Sequence, residues 1–115
     1  MKNSYDSGLF AEWLARQYLR LRGYQIIEKR YTTGKRTGRA EIDIIAQKND
    51  LIVFVEVKRR PTAELGLEAV NYGQKVRLRR AAENYLRRKQ WLGAARFDVI
   101  VVLPKLKIKR FERVF

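Results

Sequence analysis

The chain has 115 residues, with 26 Lys and Arg against 12 Asp and Glu, a formal charge of +14 at pH 7. Hydrophobic residues at 46% and charged residues at 33% fit one globular domain over residues 1–115 rather than a disordered chain. With no Cys and no His, disulfide scaffolds, zinc sites built on those ligands, and Ser-His or Cys-His triads are excluded, so any catalysis must run on carboxylates, lysines, hydroxyls and oxygen-held metals.

Residues 8–22 read as a helix with Ser7 as N-cap. Its stripe is Ala11, Leu14, Ala15, Tyr18 and Arg22, with Leu19 and Leu21 beside it, and Gly23 stops it. Residues 24–31 read as a strand, and 32–38 as a basic, glycine-containing turn. Residues 39–47 and 51–59 are the clearest strands, joined through Gln47–Asp50 as an antiparallel hairpin and ended by Arg60-Pro61. A loop is expected over 62–66 and a helix mainly over 67–90, where Gly73 is a candidate break. Leu78, Ala81, Ala82, Tyr85 and Leu86 give that helix its apolar stripe. Residues 96–103 form a nearly continuous apolar run, as a central strand does. After Pro104, Leu106 and Ile108 alternate with lysines in a half-exposed final strand. Helix, three strands, helix and two strands make one α/β domain, a mixed sheet of about five strands with flanking helices.

No run approaches the roughly 20 apolar residues of a membrane span, and the N-terminus does not resemble a signal peptide, so a cytoplasmic protein without a membrane partner is expected. The charge is uneven. Residues 1–56 hold 10 basic and 7 acidic side chains, and residues 57–115 hold 16 and 5. Such an excess is either a solvated surface or a face for a polyanion, and self-repulsion at +14 favours the polyanion.

Some acids stand where acids are costly. Alternation puts Glu41, Asp43 and Ile45 on one face of the first hairpin strand, and Ala40, Ile42, Ile44 and Ala46 on the other. In the second strand Ile52, Phe54, Glu56 and Lys58 share one face, and Val53, Val55 and Val57 the other. A carboxylate buried in such a strand costs several kcal/mol when unpaired. Glu56 either forms a surface ion pair with Lys58 or an arginine, or serves chemistry. An adjacent hairpin can bring Asp43 and Glu56 together on a divalent cation, with Lys58 pointing the same way to stabilise phosphate charge or position water. That set suffices for metal-assisted phosphodiester hydrolysis without histidine.

Asp43, followed by Glu56-Val57-Lys58, matches the D…E-x-K core of restriction-endonuclease-like nucleases. Ala11-Glu12 with Ala15 and Tyr18-Leu19, Arg22-Gly23-Tyr24, Glu41-Ile-Asp-Ile-Ile-Ala46, Val53-Phe-Val-Glu-Val-Lys58, Ala69-Val70 with Lys75, and Arg96-Phe-Asp-Val99 extend the match over almost the whole chain. The pattern resembles the YraN-like family of small bacterial proteins and is similar to archaeal Holliday-junction resolvases. The resemblance implies an αβββαβ core and a metal-dependent endonuclease acting on DNA, branched DNA included. It implies Asp43 and Glu56 as ligands of Mg²⁺ or Mn²⁺, the Val57 carbonyl facing the metal, Lys58 as the catalytic lysine and Glu12 as a helix carboxylate brought to the metal. It also implies a homodimer, by analogy with paired cuts on a junction. Two departures stand out: Ala11 and Ala40 replace the glycines that often precede Glu12 and Glu41.

Glu12 has an alternative role as an acid favoured at a helix N-terminus. Glu41 is either a second-metal ligand or a partner of Arg39 or Arg36, the partner role being favoured. Asp98 is expected to be a buried acid paired with a helix arginine. Candidate phosphate contacts are Lys35, Arg36 and Arg39 in and beside the turn, Arg59 and Arg60 after the catalytic strand, and Lys75 and Arg79 on the second helix. No compact base-reading motif is present, which favours recognition of backbone and shape. The competing reading is a nucleic-acid-binding module, for DNA or RNA, that is inactive alone or needs a partner.

Overall fold

The computed structural model describes residues 4–34 and 39–115. Helix α1 (Ser4–Leu21) leads into three strands, β1 (Gln25–Thr33), β2 (Ala40–Lys48) and β3 (Leu51–Arg59). Two helices follow, α2 (Ala63–Glu68) and α3 (Tyr72–Lys89), then β4 (Ala94–Val102), a single 3-10 turn at Pro104–Leu106, and β5 (Ile108–Phe111). The strands lie in the order β1-β2-β3-β4-β5. The β3–β4 pair is parallel and the others are antiparallel. This is a mixed five-stranded sheet with flanking helices, consistent with the αβββαβ expectation.

The strand alternation sorts side chains to two helical layers. On one side Ala15 and Leu19 of α1 pack with Ile44, Ala46, Val53, Val55 and Ile100. On the other, Leu78, Ala81, Ala82 and Tyr85 of α3 pack with Ile45, Ile52, Phe54, Phe97, Val99 and Val101. The expected α3 stripe and both faces of β3 are therefore present.

Several local expectations are corrected. Helix α1 begins by Ser4, so Ser7 lies inside it and is not its cap. Its buried stripe is Ala11, Ala15 and Leu19, while Leu21 is 85% exposed and Arg22 is exposed. Gly23 does end it, at φ +89°, and the Tyr24 amide donates to the Leu19 carbonyl at 3.0 Å in a Schellman-type closure. The expected loop 62–66 contains most of α2, whose first turn is capped by the Thr62 hydroxyl accepting from the Leu65 amide. The break before α3 falls at 69–71. Asn71 caps α3 by accepting from the Gln74 amide, and Gly73 continues the helix. Gly66 is needed for packing: a Cβ there would stand 2.5 Å from both Val101 γ-carbons, so α2 lies directly on β4.

In β2 the expected alternation fails. Ile42 packs on the α3 side, whereas Ile44, two residues on, packs on the α1 side. The β2–β3 ladder runs only from Lys48–Leu51 to Ile44–Val55. Beyond it the Asp43 carboxylate, in place of a ladder carbonyl, accepts from the Val57 amide at 2.8 Å. The switch of faces coincides with this departure from the ladder.

Candidate active site

At the position where β2 leaves the β3 ladder, two carboxylates come together. Asp43 is 9% exposed and Glu56 4%. Each is held on one side by a neutral donor. Asp43 Oδ2 accepts from the Val57 amide, and Glu56 Oε2 accepts from the Gln74 side-chain amide of α3 at 2.9 Å. Lys58 Nζ lies 3.8 Å from Glu56 Oε2, as the two-residue strand period requires. Glu56 Oε1 is sealed from solvent and, among the described residues, has no donor at hydrogen-bond distance.

The electrostatics follow from this geometry. Burial pushes the Asp43 carboxyl up to about 6, with a further rise from the Glu12 charge, against the Val57 amide and Lys58, which lower it. Burial pushes Glu56 up to about 9, aided by repulsion from Asp43 and opposed by Lys58 and by the Asp43 backbone amide. Two adjacent buried carboxylates cannot both ionise cheaply. The orphan Oε1 needs either a proton or a cation, and a divalent cation would let both groups ionise together. The donor set therefore fits Mg²⁺ or Mn²⁺, which take one or two carboxylates plus water and phosphate oxygens.

Glu12 stands apart from this pair. Its carboxylate forms a two-pronged pair with Arg30 of β1, 2.9 Å from Nε and 3.1 Å from Nη2. Among the described residues no group of three or more acidic side chains is gathered to hold an ion. Glu12 is close enough for its charge to act on Asp43. Lying eight residues into α1, it is not an acid of the helix N-terminus, which corrects that alternative. Arg30 adopts φ +54°, a left-handed conformation uncommon for a side-chain-bearing residue, at the point from which it reaches Glu12.

Two cavities flank the acids. One, of about 380 Å³, is lined by Ser7, Gly8, Ala11, Glu12, Val57, Lys58, Arg59 and Arg60. The other, of about 200 Å³, is lined by Arg39, Ala40, Glu41, Asp43, Glu56, Gln74, Arg77 and Leu78. Arg59, Arg60 and Arg39 thus line cavities beside the acids, and Arg59 is steadied by donating to the Ser7 hydroxyl at 2.9 Å. Lys75 and Arg79 instead line a separate groove on α3. Lys35 and Arg36 lie outside the described residues. Glu41 makes no ion pair among the described residues, and its carboxylate accepts from the Thr32 hydroxyl at 3.4 Å. No ion pair with Arg39 is formed, and the alternative partner, Arg36, lies outside the described residues. Asp98 is fully buried and paired, but with Arg96 of its own strand, at 2.8 and 2.9 Å, rather than with a helix arginine. It also accepts from the Arg113 amide at 3.3 Å.

Three site residues escape a reading of the sequence alone: Arg30, Gln74 and Arg77. Gln74 and Arg77 are spaced by three on α3, which places them on one face, but nothing local marks that face as turned toward Glu56.

The comparisons agree on family. The model of the uncharacterised protein family UPF0102 matches residues 11–102. A UPF0102 protein of Alkaliphilus oremlandii is 42% identical over 117 residues, covering 94% of this chain and 96% of its own. One from Agrobacterium fabrum is 40% identical over 110 residues, with 94% and 87% covered. One from Paramagnetospirillum magneticum is 40% identical over 99 residues, with 84% and 77% covered. The chain belongs to family UPF0102, the YraN-like family whose sequence pattern it carries.

Proposed function

We propose that this UPF0102 member is a divalent-metal-dependent endonuclease that hydrolyses DNA phosphodiesters, with branched or structured DNA as its substrate. The observation that carries the reading is the buried Asp43–Glu56 pair, with an oxygen that lacks any donor, beside Lys58 and between two cavities edged by arginines. Carboxylates so strongly shifted by burial and by a neighbouring charge, set beside clefts, mark a candidate site for chemistry.

A bound Mg²⁺ or Mn²⁺ would supply charge to polarise the scissile phosphate and acidify a water. Asp43 and Glu56 would hold that ion, and the resemblance adds the Val57 carbonyl as a further oxygen ligand. The Val57 amide and the Gln74 amide keep the two carboxylates turned toward each other. Lys58 balances the charge of the pair and offers its ammonium to the attacking water or to a phosphate oxygen. Arg59 and Arg60 on one side, and Arg39 and Arg77 on the other, receive flanking phosphates. Glu12, held by Arg30, sets the charge at the edge of the site.

The test is cleavage and binding measured together. Asp43→Ala and Glu56→Ala abolish cation-dependent cleavage while DNA affinity is kept or increased, because the arginines that edge the site are untouched. Cleavage undiminished in both variants overturns the assignment. One observation favours a second reading, a nucleic-acid-binding module that needs a partner for activity: Glu12 is engaged with Arg30 rather than gathered with the acid pair. Tight, salt-sensitive binding without hydrolysis of any substrate supports that reading.

A further inference from the structure

Helix α3 has two working faces. Gln74, Arg77 and Leu78 line the cavity at the acid pair. One step around the helix, Tyr72, Lys75, Val76, Arg79 and Arg80 line a separate groove of about 320 Å³. These are spaced by three, four and one, so they form a continuous stripe about 12 Å long on the helix surface. Tyr72 is 82% exposed and Val76 40%. The groove wall also contains Phe115, which stacks on Phe97 with centroids 4.1 Å apart, and Glu83. Lys75 Nζ sits 5.7 Å from the Phe115 ring.

At 82% exposure the Tyr72 ring leaves most of its surface free for a partner. Three cations beside it against one acid give the groove a positive rim around an aromatic floor. A nucleotide has the matching character, a flat π-face and an anionic phosphate, and single strands are bound by such platforms. A duplex offers phosphates and base edges but hides the base faces that a stacking platform needs.

We propose that this groove holds an unpaired nucleotide of a DNA strand whose neighbouring phosphodiester lies at the acid pair. Tyr72 stacks on the base, and Lys75, Arg79 and Arg80 contact the phosphates. The proposal rests on the nucleic-acid reading above and deepens it: the substrate has a single-stranded portion next to the scissile bond. The shared helix makes this continuous, because a strand crossing from the Tyr72 face to the Arg77 face passes over one helix.

The experiment is equilibrium binding in EDTA, so it does not depend on cleavage. A labelled oligo-dT and a blunt duplex of equal length are titrated with wild type, Tyr72→Ala, Tyr72→Phe and Arg79→Ala. Tyr72→Ala weakens single-strand binding about 10-fold and changes duplex binding less than about 2-fold, as loss of one stacked base does. Tyr72→Phe keeps the wild-type affinity, and Arg79→Ala weakens single-strand binding with a reduced salt slope. Because the Tyr72 side chain is so exposed, these variants fold as the wild type does. Unchanged single-strand binding by Tyr72→Ala, or equal weakening of strand and duplex, overturns the groove assignment and leaves the nuclease reading standing. Failure of wild type to bind either DNA overturns both.

Discussion

Replacing Glu56 by Gln removes the charge that the fold finds hardest to bury. The sign follows from proton linkage. Burial raises the folded Glu56 carboxyl to about 9, from its ordinary value of 4.5. Between those values the native state binds more protons than the unfolded state, so stability falls as pH rises. One pH unit is worth about 1.4 kcal/mol, so by pH 7 the wild type has lost on the order of 3 kcal/mol relative to pH 4. Gln keeps the oxygen that accepts from Gln74 and has no proton to lose. In EDTA, urea unfolding of the two proteins at pH 5, 6, 7 and 8 should give an advantage for Glu56→Gln that is small at pH 5 and grows to about 2–3 kcal/mol at pH 7. That corresponds to roughly 8–12 °C in Tm for a domain of this size. Millimolar Mn²⁺ should restore much of the wild-type loss, by binding the native state, and should leave the variant unmoved. A stability difference that is flat with pH would refute the reasoning, because it would mean Glu56 is not held protonated by its surroundings.

Four further outcomes are expected. Arg30→Ala, leaving Glu12 without its two-pronged partner, should cost about 1–2 kcal/mol, and a double-mutant cycle with Glu12→Gln should recover a coupling of similar size; additive effects would show that the pair contributes no coupling energy. Gly66→Ala should destabilise by roughly 1–3 kcal/mol because its Cβ would meet Val101, and Val101→Ala should relieve part of that loss in the double variant, as chemical denaturation can measure. Asp98→Ala, which leaves the Arg96 guanidinium without its buried partner, should cost about 3–5 kcal/mol; a loss under about 1 kcal/mol would contradict the burial argument. Arg59→Ala should lower the salt slope of DNA affinity by about one, by removing one phosphate contact, and an unchanged slope would take Arg59 out of the interface.

How far the sequence reaches into this structure depends on whether a signal is local. In β3 the two-residue period is unbroken from Ile52 to Lys58, so the shared direction of Glu56 and Lys58 is readable without coordinates. In β2 the same rule misplaces Ile42, because the ladder to β3 stops at Ile44 and the chain then follows β1 alone. That stop is a property of two strands together. Asp43 is nonetheless legible as half of a pair, because the hairpin turn fixes which residues can face each other. The short helix α2 is hidden by its length of six residues and its internal glycine, whose reason is contact with β4 rather than a turn. The Asn71 cap carries a local signal, a side chain able to accept from the amide three residues on, that outweighs the more conspicuous Gly73. Glu12 shows the limit most clearly. Its burial edge can be read from α1, but its partner Arg30 arrives from β1 and holds it by a backbone turn that no periodicity encodes.

The measurement that bears most directly on the central claim is cleavage of labelled linear, single-stranded, flapped and four-way-junction DNA, with Mg²⁺ or Mn²⁺ and with EDTA, by wild type and by Glu56→Ala. The account predicts cation-dependent products from wild type, most from a substrate with unpaired or branched DNA, and none from the variant. Products that persist in Glu56→Ala, or no products from wild type on any of the four despite tight binding, would contradict it.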